Sequence, residues 1–98
     1  MTMTRDLQQI HAIVEGRVQG VSYRYFTQQA AHQIGVKGWV RNLPDGTVEV
    51  LAQGTDAQLD QFLNFLREGS PAAAVQEIDV EWQPCDDHFD LFRIRYYH

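Results

Sequence analysis

The chain has 98 residues, 44% of them apolar, one cysteine and a formal net charge of −5. That length gives one domain with one modest core, and the composition argues against disorder. The charge disfavours general nucleic-acid binding, no apolar run is long enough to span a membrane, and Cys85 cannot form an internal disulfide, which points to a reduced, cytoplasmic setting.

Residues 1–7 read as a loose tail ahead of a single domain over 8–98, and Met1 to Asp6 lack the apolar stretch of a signal peptide. Ile10, Ala12 and Val14 alternate with His11, Ile13 and Glu15, which predicts a strand over about residues 8–15. A glycine-bracketed turn follows. Ser22 is a reasonable N-cap for a helix over about residues 22–34. Tyr23, Phe26, Ala30 and Ile34 recur at helical spacing, and Gly35 can end the helix. Val36 to Asn42 reads as a second strand, and Leu43-Pro44-Asp45-Gly46 carries a hairpin-turn signal. Val48, Val50 and Ala52 then give a third strand, broken by Gly54.

Thr55-Asp56-Ala57-Gln58 matches a capping box. Leu59, Phe62, Leu63 and Leu66 sit at i, i+3, i+4 and i+7, the mark of an amphipathic helix, which Gly69-Ser70-Pro71 stops. Ile78, Val80 and Trp82 alternate with acids in a fourth strand. Pro84 to His88 is a turn, and Phe92, Ile94 and Tyr96 alternate with Arg93 and Arg95 in a last strand. The order is βαββαβ plus an extra strand: an α+β, ferredoxin-like split β-α-β sandwich, with an antiparallel sheet and two helices on one face. This scaffold carries many activities, so fold alone assigns none.

The functional signal lies in Gly16-Arg17-Val18-Gln19-Gly20-Val21-Ser22-Tyr23-Arg24. A Gly-rich turn between a strand and a helix points several backbone N–H groups into one small space, which suits an anion and phosphate above all. From Gly16 through Asn42 there is no Asp or Glu, while the same stretch holds Arg17, Arg24, Lys37 and Arg41. Arg24 stands in a first helical turn, where the helix end repels a cation; an anion between the two reconciles them. In a β-α-β unit the two strands run the same way, so the glycine turn and Asn42 come to one edge of the sheet. With one strand between them, their axes lie about 10 Å apart. Arginine, phosphate and one water roughly fill that gap.

These residues, with Gly38-Trp39-Val40-Arg41-Asn42, Asp45-Gly46, Val48-Glu49-Val50, Gly54, Gly69-Ser70-Pro71, Val75 and the closing Phe92-Arg93-Ile94-Arg95-Tyr96, resemble the acylphosphatase family over about residues 8–97. Tyr23 departs from the family, whose members often carry Phe before the arginine. The resemblance implies hydrolysis of carboxyl–phosphate anhydrides to a carboxylate and inorganic phosphate. It implies that Arg24 holds phosphate and Asn42 positions water, and that the substrate phosphate itself takes the water's proton.

The residue types fit that chemistry. An amide such as Asn42 cannot usefully take a proton near neutral pH, but it can aim a water. The substrate-binding set is Arg17, Val18, Gln19, Gly20, Val21 and Ser22 through their loop N–H groups, together with Arg24; the catalytic pair is Arg24 and Asn42. Arg17 also reads as a solvated side chain, and N-capping accounts for the Ser22 hydroxyl. A cysteine-based phosphatase would place its nucleophile at Val18. No paired carboxylates or His cluster mark a metal, and no cofactor is called for. Positive charge and oriented water suffice when the leaving group departs easily, as a carboxylate does, so the expected reaction is direct in-line attack by water. The expected partners are a small acyl phosphate and its phosphate product, with no nucleic acid, no membrane, and nothing that demands more than a monomer. An anion- or nucleotide-binding module without catalysis, an RNA-binding sheet and an edge-strand interaction protein stand as alternatives.

Overall fold

The computed structural model describes residues 7–85 and 87–96; the expected tail, except for an exposed Leu7, lies outside them. The elements run β1 (Gln8–Arg17), α1 (Tyr23–Ile34), β2 (Lys37–Asn42), β3 (Val48–Gly54), α2 (Asp56–Glu68), β4 (Ala74–Gln83) and β5 (Phe92–Arg95). They form one five-stranded sheet in the order β4-β1-β3-β2-β5. β3 separates β1 from β2, as the split β-α-β reading requires.

The sheet is mixed. β1 pairs antiparallel with β3 and β4, and β2 with β3, but β5 pairs parallel with β2, Gly38 opposite Phe92 and Val40 opposite Ile94. The wholly antiparallel expectation is corrected here. β5 reaches the far edge of the sheet from β4 at the other edge, and so runs in the direction of β2.

Period-two patterning builds the core. Ile10, Ala12 and Val14 on β1, Val48, Val50 and Ala52 on β3, and Val40 on β2 turn to the helices and are fully buried, as are Leu59, Phe62 and Leu66 of α2. Phe62 meets Phe92 edge to face at 5.6 Å, a packing geometry aromatic rings favour. The capping box at α2 is complete: Thr55 Oγ1 accepts from Gln58 N–H at 3.2 Å, and Gln58 Oε1 accepts from Thr55 N–H at 2.9 Å.

Helix α1 departs from its expected face. Tyr23, Thr27 and Ala31 are its buried residues, whereas Ala30 and Ile34 are half-buried and Phe26 is exposed. The Tyr23 hydroxyl donates to the Leu66 carbonyl at 2.8 Å, which fixes the rotation of the helix. Small Thr27 and Ala31 then face inward, and Phe26 packs edge-on against Tyr25 outside.

Candidate active site

Each wall of the site has a local cause. β1 ends in a bulge between Glu15 and Gly16. Gly16 has φ 129°, and a Cβ there would lie 2.2 Å from the Ala74 carbonyl oxygen, so only glycine lets β1 stay on β4. The chain then turns over residues 18–22. Val18 is buried in the core and anchors the turn from below. Gly20 has φ 74° with open space above it. Ser22 precedes the helix at φ 61°, in the left-handed region, and its side chain makes no capping hydrogen bond. Ser22 therefore does not cap the helix as a side chain; strain at a non-glycine residue of this kind is uncommon and collects at functional sites.

The turn's acceptors face the protein. Ser70 Oγ donates to the Val21 carbonyl at 3.2 Å, and the Phe26 N–H donates to the Ser22 carbonyl at 3.1 Å. The Gln19 side chain donates at 2.8 Å to both the Leu43 and the Thr47 carbonyls. Among the described residues, no main-chain carbonyl accepts from the backbone N–H groups of Gln19 to Tyr25. Those groups, with the N-terminal end of α1, are the unspent donors of an anion cradle.

Arg24 leaves the first turn of α1 and lies over the Tyr96 ring, its guanidinium carbon 4.9 Å from the centroid. Its Nη1 makes a long 3.5 Å contact to the Arg95 carbonyl. It has no carboxylate partner among the described residues; the ion pairs there join Glu49 to His11 and to Arg41. Asn42 ends β2, and its Oδ1 is buried without a hydrogen-bond partner. A buried amide oxygen in that state is costly unless a ligand or water completes it.

Two adjoining cavities, of about 370 and 400 Å³, share Arg24, Asn42 and Tyr96 as walls. The first adds Gln19, Leu43 and Pro44; the second adds Val18, Gly20, Ser22, Tyr23, Tyr25 and Ile94. Arg24 and Asn42, eighteen residues apart in sequence, thus meet at one edge of the sheet. Arg17 and Val21 line neither cavity: Arg17 ends β1 against Ala74 with its side chain exposed, and Val21 serves through its carbonyl. Tyr96, Leu43 and Pro44 were not singled out as site residues from sequence. The signal for Tyr96 was topological, because a strand parallel to β2 delivers its C-terminal residue to the edge where Asn42 stands. Among the described residues, no group of three or more His, Cys, Asp or Glu able to hold a metal occurs, and no helix is long and apolar enough to cross a membrane.

Comparison with known proteins gives one consistent result. The acylphosphatase family model matches residues 10–94. An acylphosphatase of Bordetella parapertussis is 53% identical over 75 residues, 76% of this chain and 80% of the relative. The crystal structure of acylphosphatase from Bacillus subtilis superposes with a TM-score of 0.88 at 40% identity, over 91% of this chain and 99% of that one. The structure of an acylphosphatase from Coxiella burnetii gives 0.89 at 35% identity, over 97% and 100%. With a cation, a turn of free amides and a lone amide oxygen gathered at the sheet edge, and with likeness over nearly its whole length, this chain belongs to the acylphosphatase family.

Proposed function

We propose that the chain hydrolyses small acyl phosphates by direct attack of water, with Arg24 and the free amides of residues 19–22 holding the phosphoryl group and Asn42 orienting the water. Family membership assigns the reaction class. The observation that supports the residue roles is that Arg24 and Asn42 wall the same two cavities.

The reaction balances as acyl phosphate plus water giving carboxylate plus inorganic phosphate. The water oxygen bonds to phosphorus, the bond from phosphorus to the carboxyl oxygen breaks, and the leaving carboxylate keeps that electron pair. One water proton passes to a phosphoryl oxygen. Arg24 and the cradle amides stabilise charge spread over the equatorial oxygens. The Asn42 amide oxygen accepts a hydrogen bond from the water and fixes its line of approach. A single chain carries every wall of the site, so a monomer is the catalytic unit. The lone cysteine supports a cytoplasmic setting.

Phosphate release from benzoyl phosphate, measured with wild type, Arg24→Ala and Asn42→Ala, tests these roles. Arg24→Ala loses on the order of 10³-fold in kcat/KM, together with competitive inhibition by phosphate. Asn42→Ala loses turnover and keeps phosphate inhibition. Phosphate binding that collapses in Asn42→Ala while turnover persists would overturn the assignment, and phosphate binding by a wild type without turnover would mark an anion-binding module.

A further inference from the structure

The helices cover one face of the sheet. The register fixes what the other face displays. One row runs Asp79, Ile13, Glu49, Arg41, Arg95 from the β4 edge to the β5 edge, and the next runs Glu81, His11, Leu51, Trp39, Arg93. Glu15 and Glu77 extend the acidic side, and Lys37 the basic side. Glu77, Asp79, Glu81, Lys37, Arg93 and Arg95 are exposed, while Ile13, Leu51 and Trp39 between them are half-buried. The Arg41 and Arg95 guanidinium groups sit over the Trp39 ring at 5.2 and 5.0 Å, which confirms that they share this face. Acids therefore line one edge and cations the other, and between them Ile13, Leu51 and Trp39 surround the internally paired His11, Glu49 and Arg41.

We propose that this face binds a second copy of the same chain in a weak, reversible, two-fold dimer. A two-fold axis parallel to the strands, passing over the central strand β3, lays each acidic edge on the other copy's basic edge. A two-fold axis across the strands would instead set acid on acid. Opposite charge selects the first arrangement and brings Ile13 and Leu51 of both copies towards the middle, beside the paired His11, Glu49 and Arg41 and inside a charged rim. Glu49 near the axis does not oppose this, because Arg41 Nε already holds its carboxylate at 2.6 Å.

The far end of the face is closed. The β4–β5 connection crosses there, with Gln53 donating to the Asp87 carbonyl and accepting from Phe89 N–H. What remains is roughly 20 Å square, about 800–1,000 Å² over two copies, the low end of specific interfaces. Asn42 pairs with Val48 on the helix-covered side of the sheet, so the dimer leaves the cavities open and each copy keeps its own site.

Sedimentation of the whole chain tests the proposal. At about 1 mM protein in about 20 mM salt, wild type sediments towards the dimer, and about 300 mM salt returns it to monomer. Asp79→Lys with Glu81→Lys, and separately Arg93→Glu with Arg95→Glu, are each monomeric alone, because both leave like charges facing. Mixed, the two variants restore the dimer, since each reversed edge then meets an opposite one; this rescue also shows that neither variant merely misfolded. A wild type that stays monomeric at low salt overturns the proposal, as does a mixture without rescue. A monomeric wild type that binds an oligoribonucleotide through Arg93 and Arg95 would assign the face to a polyanion instead.

Discussion

One Gln19 amide nitrogen stands 2.8 Å from the Leu43 carbonyl and 2.8 Å from the Thr47 carbonyl, so a single side chain staples the anion cradle to both ends of the turn that follows Asn42. The two walls of the site are held in register by a contact across residues far apart in sequence. Removing it takes the second donor from two carbonyls that otherwise accept only within the turn, Leu43 from the Gly46 N–H and Thr47 from the Leu43 N–H. Gln19→Ala is expected to lower stability by about 1–2 kcal/mol, read from urea midpoints. It should also lower kcat/KM ten- to a hundred-fold, on the order expected when reacting groups shift by about an ångström.

Gly16 and Gly20 bracket the cradle and should respond very differently to an added methyl. At Gly16 a Cβ would meet the Ala74 carbonyl oxygen at 2.2 Å and the Gln76 nitrogen at 2.8 Å, both main-chain atoms of the neighbouring strand. Gly16→Ala must displace β4 and is expected to cost roughly 3 kcal/mol or more, in the range of the severest single changes. At Gly20 nothing lies within 4 Å, so Gly20→Ala costs only the left-handed backbone, about 1–2 kcal/mol. Thermal melts of the two variants side by side check the ranking.

The Tyr23 hydroxyl closes the carbonyl of Leu66 near the end of α2. Burial pushes its phenol well above the ordinary tyrosine value, so it stays protonated and donating throughout the neutral range. Tyr23→Phe is expected to cost about 1–2 kcal/mol while leaving phosphate inhibition intact. The difference from wild type should hold below about pH 10 and shrink as the pH rises from there towards the raised folded value.

Glu49 supplies an acid-side prediction. Burial acts to raise its pKa, but hydrogen bonds from His11 and Arg41 outweigh it and hold the carboxyl below its ordinary value. A depressed folded pKa contributes stability that is complete above the unfolded value, about 4.3, and is lost as pH falls through the folded one. Glu49→Gln should therefore be less stable than wild type at pH 6, with the gap narrowing by pH 3. Denaturant titrations at the two pH values measure it.

Where local chemistry decides, the residues announce their structure. Thr55 and Gln58 form the capping box their spacing predicts, and Leu59, Phe62, Leu63 and Leu66 are the buried face of α2. The alternation of Ile10, Ala12 and Val14 placed β1 correctly. Partners distant in sequence decided the rest. Helix α1 is apolar along more than one stripe, and the Leu66 carbonyl selects the Tyr23, Thr27, Ala31 face over the one through Phe26. Ser22 looks like a helix cap, yet the cradle holds it left-handed. Arg24 and Asn42 were legible because crossover topology alone brings them to one edge. Tyr96 was not, because the parallel seat of β5 beside β2 follows from no short-range signal.

The placement of β5 has a consequence for how the enzyme comes into being. The aromatic ring beneath Arg24 and the carbonyl it reaches belong to the final ladder of the sheet, docked alongside a strand made some fifty residues earlier. A chain whose β5 has not docked leaves that guanidinium without its seat. The charged half of the site and the fifth strand of the sheet thus form together, by the docking of β5 beside β2.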